Sequence, residues 1–550
     1  MPDMMTGGEA LVRAVLGYGV DTVFGLPGVQ TYPIVDALER NSNRVRTVGT
    51  RHEQAAAYMA YGYAKASGKP GVFTVVPGPG VLNAGAAMCT AYAGCAPVLC
   101  LTGDVPAEFL GKGRGHLHEL PDQLATLNSF IKWAGRAERP QEAPAKVDEA
   151  FRHMLSGRPG PTAVEMCWDT MAAEAPVTLP GAPLAVTTPE IDDDQIAAAA
   201  KLIAKARRPM IMCGSGAQHA SESVRALAEL LNASVTAFRS GRGVVAEDHP
   251  LGVSSAAAWE LWADCDLLIG IGSRCELQYM RWTGMMRAAD RPHGPPLIRI
   301  DIDPMEMVRL KPDVAIVADA NDGTRALYDA VSSMANPDPD AREKIAAAKR
   351  IAREKITAIQ PHVGYLDVIR AVLPRDGVFT KDICQTGFTS YFAFPVYEPR
   401  TYITSGYQGN LGYALPTALG AKVAHPDRAA VVVTGDGGFG FAMQELATMA
   451  AEDIGLTVIV FNNGAFGNVK RDQQTRFANR TLMSELPTPS YAALAELFGI
   501  AADQVESPAA LQPALERRLA DNRPALIEVT LDLADEVSPW HHITQNRGAR

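Results

Sequence analysis

The feature that most constrains this chain is an alternation that recurs along its length: short apolar runs ending in glycine or an acid, separated by Ala-rich stretches. Residues 22–24, 71–76 and 97–102 are apolar runs, and 55–66 is one of the Ala-rich stretches between them. Strands buried on both faces read as continuous hydrophobic runs, because the crossover helices of a parallel sheet cover both faces. The pattern restarts with a helix predicted near 192–205. Strands follow at 209–212, 266–272 and 297–303, with Gly214-Ser215-Gly216 after the first. Beyond Val363 it starts again, with strands at 377–380, 430–434 and 456–461. A chain of 550 residues is too long for one core. The expectation is an α/β protein of three doubly wound parallel-sheet domains, at 1–175, 190–335 and 360–550. A Pro/Ala-rich linker at 172–189 and a polar helical stretch at 336–355 separate them.

Composition excludes several function classes. A net charge of -10 with no basic block repels a phosphate backbone, so nucleic acid is not an expected partner. No run of 18 apolar residues could span a bilayer, and the N-terminus lacks a basic n-region, so a cytoplasmic protein without a membrane partner is expected. Eight cysteines (Cys89, Cys95, Cys100, Cys167, Cys213, Cys265, Cys275, Cys384) contain no C-x-x-C pair. They are read as buried small hydrophobes, not as zinc ligands or disulfides.

The most informative segment follows the strand at 431–434: Gly435-Asp436-Gly437-Gly438. A buried strand here delivers an acid among glycines to the carboxyl end of a sheet, where backbone can approach an anion closely. Alone, Gly-Asp-Gly is equally an ordinary tight turn. A helix predicted at 443–451 comes next, and the following strand ends in Asn462-Asn463. A carboxylate and an amide oxygen from neighbouring strand ends suit Mg²⁺ or Ca²⁺, which take oxygen ligands completed by water and phosphate.

Gly435-Asp436-Gly437, a spacer of 24 residues and Asn462-Asn463 resemble the signature of the thiamine diphosphate-dependent decarboxylase and carboligase superfamily. The resemblance names the three domains pyrimidine-binding, central Rossmann-like and diphosphate-binding. It implies that Asp436, Asn463 and the carbonyl of Ala465 ligate the cation, with Gly435, Gly437, Gly438, Phe466 and Gly467 around the cofactor. In this superfamily a glutamate hydrogen-bonds the aminopyrimidine and promotes loss of the thiazolium C2 proton. Arg51-His52-Glu53-Gln54 before an Ala-rich helix is similar to that pattern, which makes Glu53 the candidate catalytic residue; the bland reading is an acid favoured at a helix start. Gly25-Leu26-Pro27-Gly28 and Gly78-Pro79-Gly80-Val81-Leu82-Asn83 resemble the flanking loops of the family, adding Pro27, Gly28 and Asn83 as cofactor contacts. In Ser405-Gly406-Tyr407-Gln408-Gly409-Asn410-Leu411 the resemblance makes Leu411 the wedge beneath the cofactor and the Gly409 carbonyl the acceptor of its amino group. The alternative for Leu411 is simple core.

Along its length the chain looks most like the acetolactate synthase and pyruvate oxidase branch. Val469 stands where simple decarboxylases of the family carry an acid, which favours ligation over aldehyde release. Leu117-His118-Glu119 replaces the usual Phe-Gln-Glu; His118, with His116 nearby, is either a proton shuttle or a solvated loop histidine. Asn468 and Asp472 stand where acetolactate synthases have Met and Trp, which opens the question of the acceptor. The central domain binds FAD or ADP in parts of the family, but lone Gly-x-Gly motifs are weak, and the reading favours no nucleotide there. The segment 538–542, Ser-Pro-Trp-His-His, is either a lid over the active site or a surface arm. The resemblance implies a homodimer or homotetramer acting on a 2-oxo acid such as pyruvate. Competing readings are an enzyme of acyl-CoA substrates (2-hydroxyacyl-CoA lyase or oxalyl-CoA decarboxylase) and a non-catalytic nucleotide-binding protein.

Overall fold

The computed structural model describes residues 2–182, 186–282 and 294–543, so part of the linker and positions 544–550 of the last expected domain lie outside the described residues. Three α/β domains follow one another, each around a six-stranded parallel sheet. The first sheet runs, edge to edge, Arg46–Gly49, Thr22–Gly25, Gly71–Val75, Val98–Asp104, Thr162–Cys167, Trp133–Arg136. The last runs Tyr402–Ile403, Val378–Lys381, Ala430–Gly435, Thr457–Asn462, Ala525–Thr530, Ala501–Val505. Numbered within its own domain, each has the strand order 2-1-3-4-6-5. The central sheet differs. Its strands, Gly252–Val253, Ser234–Thr236, Pro209–Cys213, Leu267–Ile271, Leu297–Asp301 and Val314–Val317, give the order 3-2-1-4-5-6. In all three the order reverses beside the first strand, and ligands of such sheets bind at that crevice, beyond the carboxyl ends of the strands.

The nine strands that the apolar runs predict are present within a residue or two, joined in the three sheets by as many that the runs do not predict, and the central ones are buried throughout, as in Val98–Asp104 and Ala430–Gly435. Each fully buried Val, Leu or Ile contributes roughly 1.5–3 kcal/mol of transfer free energy. A short antiparallel pair, Asp3–Thr6 with Glu174–Val177, ties the start of the chain to the segment after the first sheet.

The Ala-rich stretch forms the helix Glu53–Ser67. His52 caps its start by accepting from the Gln54 N–H, and Gly68 ends it in the left-handed region at φ 76°. This helix lies against Ala414–Ala424 of the last domain, backbone to backbone. A Cβ on Gly62 would lie 1.9 Å from the Thr417 carbonyl oxygen, and one on Gly420 would lie 1.9 Å from that of Met59. The small residues therefore lock the first and last domains of one chain together, and one apolar cluster runs through the faces they share.

Two local expectations need correction. The helix predicted at 443–451 is two adjoining pieces, a 3₁₀ turn Met443–Glu445 and the helix Leu446–Ala451, and a separate helical turn outside that expectation, Asp436–Phe439, opens at the acid itself. Two glycines after Asp436 let the chain coil immediately, as the preceding strand ends. Of the eight cysteines, all free, only Cys100, Cys167, Cys213 and Cys275 are buried. Cys95 and Cys384 are half-buried because they line cavities.

Candidate active site

At the carboxyl end of the last sheet, the crevice between its first and third strands opens into a cavity of about 190 Å³. Its wall includes Leu411, the loop Gly435–Gly438, Asn463 and the segment from Ala465 to Val469. Strands Ala430–Gly435 and Thr457–Asn462 are parallel neighbours, with Gly435 opposite Phe461, so Asp436 and Asn463 leave the sheet at the same level. Their side chains converge. Asp436 Oδ2 and Asn463 Oδ1 lie 3.2 and 3.1 Å from the same donor, the Ala465 N–H. Strand alternation separates the two asparagines: Asn462 turns the other way and donates to Glu528 at 2.8 Å.

Asp436 is 4% exposed. Burial pushes its carboxyl up to about 6, although the N–H groups of Gly437, Ala465, Gly464 and Asn463 pull the other way. A desolvated carboxylate beside an amide oxygen is a natural pairing for a divalent cation. Among the described residues no three His, Cys, Asp or Glu side chains cluster as metal ligands. A cation held here would therefore need a further oxygen donor such as a phosphate.

Gln385 supplies that side of the cavity. It opens the helix Gln385–Ala393 directly after the strand Val378–Lys381 and its connection, and both polar atoms of its buried side chain lack a partner. A buried amide left unpaired costs about 1–3 kcal/mol, so a ligand that offers an acceptor to Nε2, such as an anion or carbonyl, and a donor to Oε1 is favoured. Thr386, His362 and Glu536 also line the cavity. Sequence reading missed all four. Gln385 had a local signal, since it follows a strand recognised at 377–380, whereas His362 and Glu536 reach the site only through tertiary packing.

The remaining residues expected at the site form a second group, on the first domain. Glu53, half-buried at the start of its helix, accepts from Asn83 Nδ2 at 3.0 Å. Pro27 and Gly28 follow the first strand of that sheet, and Gly78 follows the third, so these loops flank the corresponding crevice. Gly78 is held at φ +60°, and a Cβ there would lie 2.3 Å from the His118 carbonyl oxygen. His118 Nδ1 is 2.7 Å from Gln30 Oε1, and Gln30 Nε2 donates to the Leu117 carbonyl at 2.7 Å. None of Pro27, Gly28, Glu53, Asn83 or His118 lines the cavity of the last domain. Gly409, at φ +66°, stands apart from its lining as well. Phe466 and Gly467 do line it.

The central sheet has its own cavity, about 390 Å³, where the loops of Gly214 and Gly272 meet beyond the strand ends. Arg158, Arg239 and Arg400 are on its wall. The tail also has a place: Trp540 Nε1 donates to Asn468 Oδ1, and its ring packs 4.8 Å from that of Phe388, so Trp540 sits against two residues of the cavity wall. No helix among the described residues is long and apolar enough to cross a membrane.

Three domain families match the chain in order: the N-terminal TPP binding domain of thiamine pyrophosphate enzymes at residues 5–126, their central domain at 196–327 and their C-terminal TPP binding domain at 382–529. A Pseudomonas aeruginosa protein described as a probable 2-ketoarginine decarboxylase is 35% identical, covering 96% of this chain and 94% of its own. A probable acetolactate synthase large subunit of Methanocaldococcus jannaschii is 34% identical over 96% and 93% of the two chains. The acetolactate synthase isozyme 1 large subunit of Escherichia coli is 30% identical over 97% and 95%. With all three domains matched in sequence and in fold, the chain belongs to the thiamine diphosphate enzyme family, related to its acetolactate synthases, and is an enzyme that makes or breaks carbon–carbon bonds of 2-oxo acid type substrates with that cofactor.

Proposed function

We propose that this enzyme is Mg²⁺-dependent, decarboxylates a 2-oxo acid, with pyruvate the first candidate, and transfers the acyl anion equivalent to a second carbonyl compound. The observation that carries the reading is the convergence of Asp436 Oδ2 and Asn463 Oδ1 on one N–H at the mouth of a cavity. Those two side chains and the Ala465 carbonyl would hold the cation, with Ca²⁺ the alternative ion. Gly435, Gly437, Gly438 and Gln385 would face the diphosphate, and Leu411, Gly409, Phe466 and Gly467 the rest of the cofactor. Bound thiamine diphosphate supplies the nucleophilic carbon and the electron sink for the carbanion. The protein's part is to place that carbon, to keep water out and to hold a proton acceptor system at the aminopyrimidine. Glu53, fixed by Asn83, fits that last role. His118, tied to Gln30 in the neighbouring loop, is the candidate proton carrier. Val469 on the wall offers no proton to the carbanion, which favours transfer to an electrophile.

Units at 1–175, 190–335 and 360–550 then divide the labour, and two copies of the chain complete the site. The last-domain cavity is lined without any first-domain residue, and Glu53 and Asn83 sit beside the exposed apolar side chains of Val29, Leu82 and Leu117. Exposed apolar surface around an incomplete site supports a homodimer or a homotetramer built from such dimers. The arginine-walled central cavity supports a nucleotide, FAD or ADP, more than the sequence does; a flavin absorbance or ADP in the extract of purified protein tests it. Incubation with pyruvate, Mg²⁺ and thiamine diphosphate is expected to give CO₂ and a hydroxyketone, and the absence of both removes pyruvate as donor.

A second donor is favoured by one observation. Asn468 lines the cavity and Asp472 lies one helical turn on, within Gly467–Arg476, its side chain half-exposed and 3.6 Å from Arg476, so an acid stands near the mouth. Together with the relative described as a probable 2-ketoarginine decarboxylase, this supports a guanidino-bearing 2-oxo acid. Faster decarboxylation of 2-ketoarginine than of pyruvate, lost in Asp472→Asn, would select this reading.

A further inference from the structure

Asn463 presents a problem that its own position does not solve. The two ends of a side-chain amide are nearly isosteric, yet only Oδ1 has a lone pair for a cation, whereas Nδ2 carries two hydrogens. A half-turn of the amide would aim those hydrogens at the ion. We propose that Glu536 is a positioning residue that fixes the Asn463 amide with Oδ1 toward the cation, an inference that rests on the reading of Asn463 as a ligand.

Three contacts support it. Asn463 Nδ2 donates to Glu536 Oε1 at 2.7 Å, across 73 positions of sequence. A carboxylate only accepts, so it takes the amino end of the amide and turns the oxygen the other way, toward Asp436 and the Ala465 N–H. The second oxygen, Glu536 Oε2, is 3.4 Å from His362 Nε2, and both side chains are 1% exposed. His362 Nδ1 in turn lies 2.9 Å from Thr386 Oγ1, in the first turn of Gln385–Ala393. Thr386, His362, Glu536 and Asn463 all line the one cavity. They form a brace from the end of the first strand, across the switch point, to the end of the fourth. The backbone of Glu536 is held too, since its carbonyl accepts from Arg471 Nη2 at 3.4 Å. A carboxylate this deeply buried is costly unless its charge is put to use: Oε1 takes the Asn463 amide, while Oε2 faces His362 Nε2 with neither atom hydrogen-bonded among the described residues, so the Asn463 contact is the one that holds the carboxylate. Outer partners of metal ligands typically set metal affinity by 10–100-fold, through ligand orientation.

The test uses full-length protein and Mg²⁺ as the probe. Thiamine diphosphate binding is followed by calorimetry at increasing Mg²⁺, alongside kcat at saturating Mg²⁺, for wild type, Glu536→Met and Glu536→Gln. Methionine keeps length and removes the acceptor; glutamine keeps an acceptor oxygen. The half-saturating Mg²⁺ concentration is expected to rise about 10–100-fold in Glu536→Met and to stay within about threefold in Glu536→Gln, with kcat at saturation falling far less. If Glu536→Met does not fold, His362→Gln, which releases the far oxygen of the carboxylate, is expected to raise it several-fold. A folded Glu536→Met or His362→Gln with unchanged Mg²⁺ dependence overturns the inference, as does a fall confined to kcat. Wild-type protein whose thiamine diphosphate binding ignores Mg²⁺ overturns instead the cation reading on which it rests.

Discussion

The first and last sheets share a strand order, yet their corresponding loops carry different chemistry. After the third strand the first domain has Gly78-Pro79-Gly80, without an acid, and the last has Gly435-Asp436-Gly437. One carboxylate at that position separates a loop that can only shape a pocket from one that can hold a cation. The sheets also share a buried glutamate on the fifth strand of the edge-to-edge order. Glu165 accepts from Gln123, which in turn accepts from the Gly78 N–H, while Glu528 accepts from Asn462, Ser490 and the Ala492 N–H. In both domains a buried acid behind the strand ends anchors the loops in front. The comparison teaches that one scaffold, used twice, presents two different sets of loop residues at its strand ends, which the proposed function reads as two half-sites, while the central sheet has another order.

The comparison can be broken first at the catalytic half-site. Glu53→Gln is expected to slow exchange of the C2 proton of bound thiamine diphosphate by about 10²–10⁴-fold, with cofactor affinity changed little; NMR of quenched samples reads the exchange. Undiminished exchange would leave the first sheet without its assigned role.

The two asparagines sharpen the last sheet's side. Asn463→Ala is expected to weaken Mg²⁺-dependent cofactor binding by about 10–100-fold. Asn462→Ala, which leaves Glu528 short of a donor, is expected to cost about 1–3 kcal/mol of stability and leave metal affinity unchanged. Calorimetry and thermal unfolding of both variants separate the effects, and equal losses of affinity would contradict the strand-alternation argument.

The smallest effect concerns Glu165, which burial pushes up from 4.5 to about 7 against the pull of Arg136. A carboxyl raised on folding binds its proton more tightly in the native state, so its contribution favours folding below the unfolded value and is lost as pH climbs through that interval. Glu165→Gln abolishes this titration. The difference in Tm between variant and wild type is expected to move in the variant's favour from pH 5 to pH 8, and a constant difference would contradict it.

Sequence carried the α/β alternation and the pair Asp436 and Asn463, because each acts through strand ends that local pattern reveals. The glycines around Asp436 were legible for the same reason, whereas Leu411 was named by family resemblance and its place on the cavity wall had no local signal. The alternation did not tell that the outer two sheets share an order that the central one lacks, since order depends on crossovers between distant strands. Gln385 was one step beyond a recognised strand and went unread. Glu536 and His362 carry no local signature: they meet across 174 positions, where the short turn Leu533–Asp535 packs near the start of the helix His362–Val372. Glu53 was visible from its helix start, but its separation from the last-domain cavity belongs to the arrangement of domains, which no stretch of residues encodes by itself.

The most direct test of the central claim is calorimetric titration of thiamine diphosphate into wild-type and Asp436→Ala protein, each with saturating Mg²⁺ and with EDTA. The account predicts tight binding only for wild type with Mg²⁺, weaker by at least about 10–100-fold in the other three cases. Equal affinity in all four would contradict it.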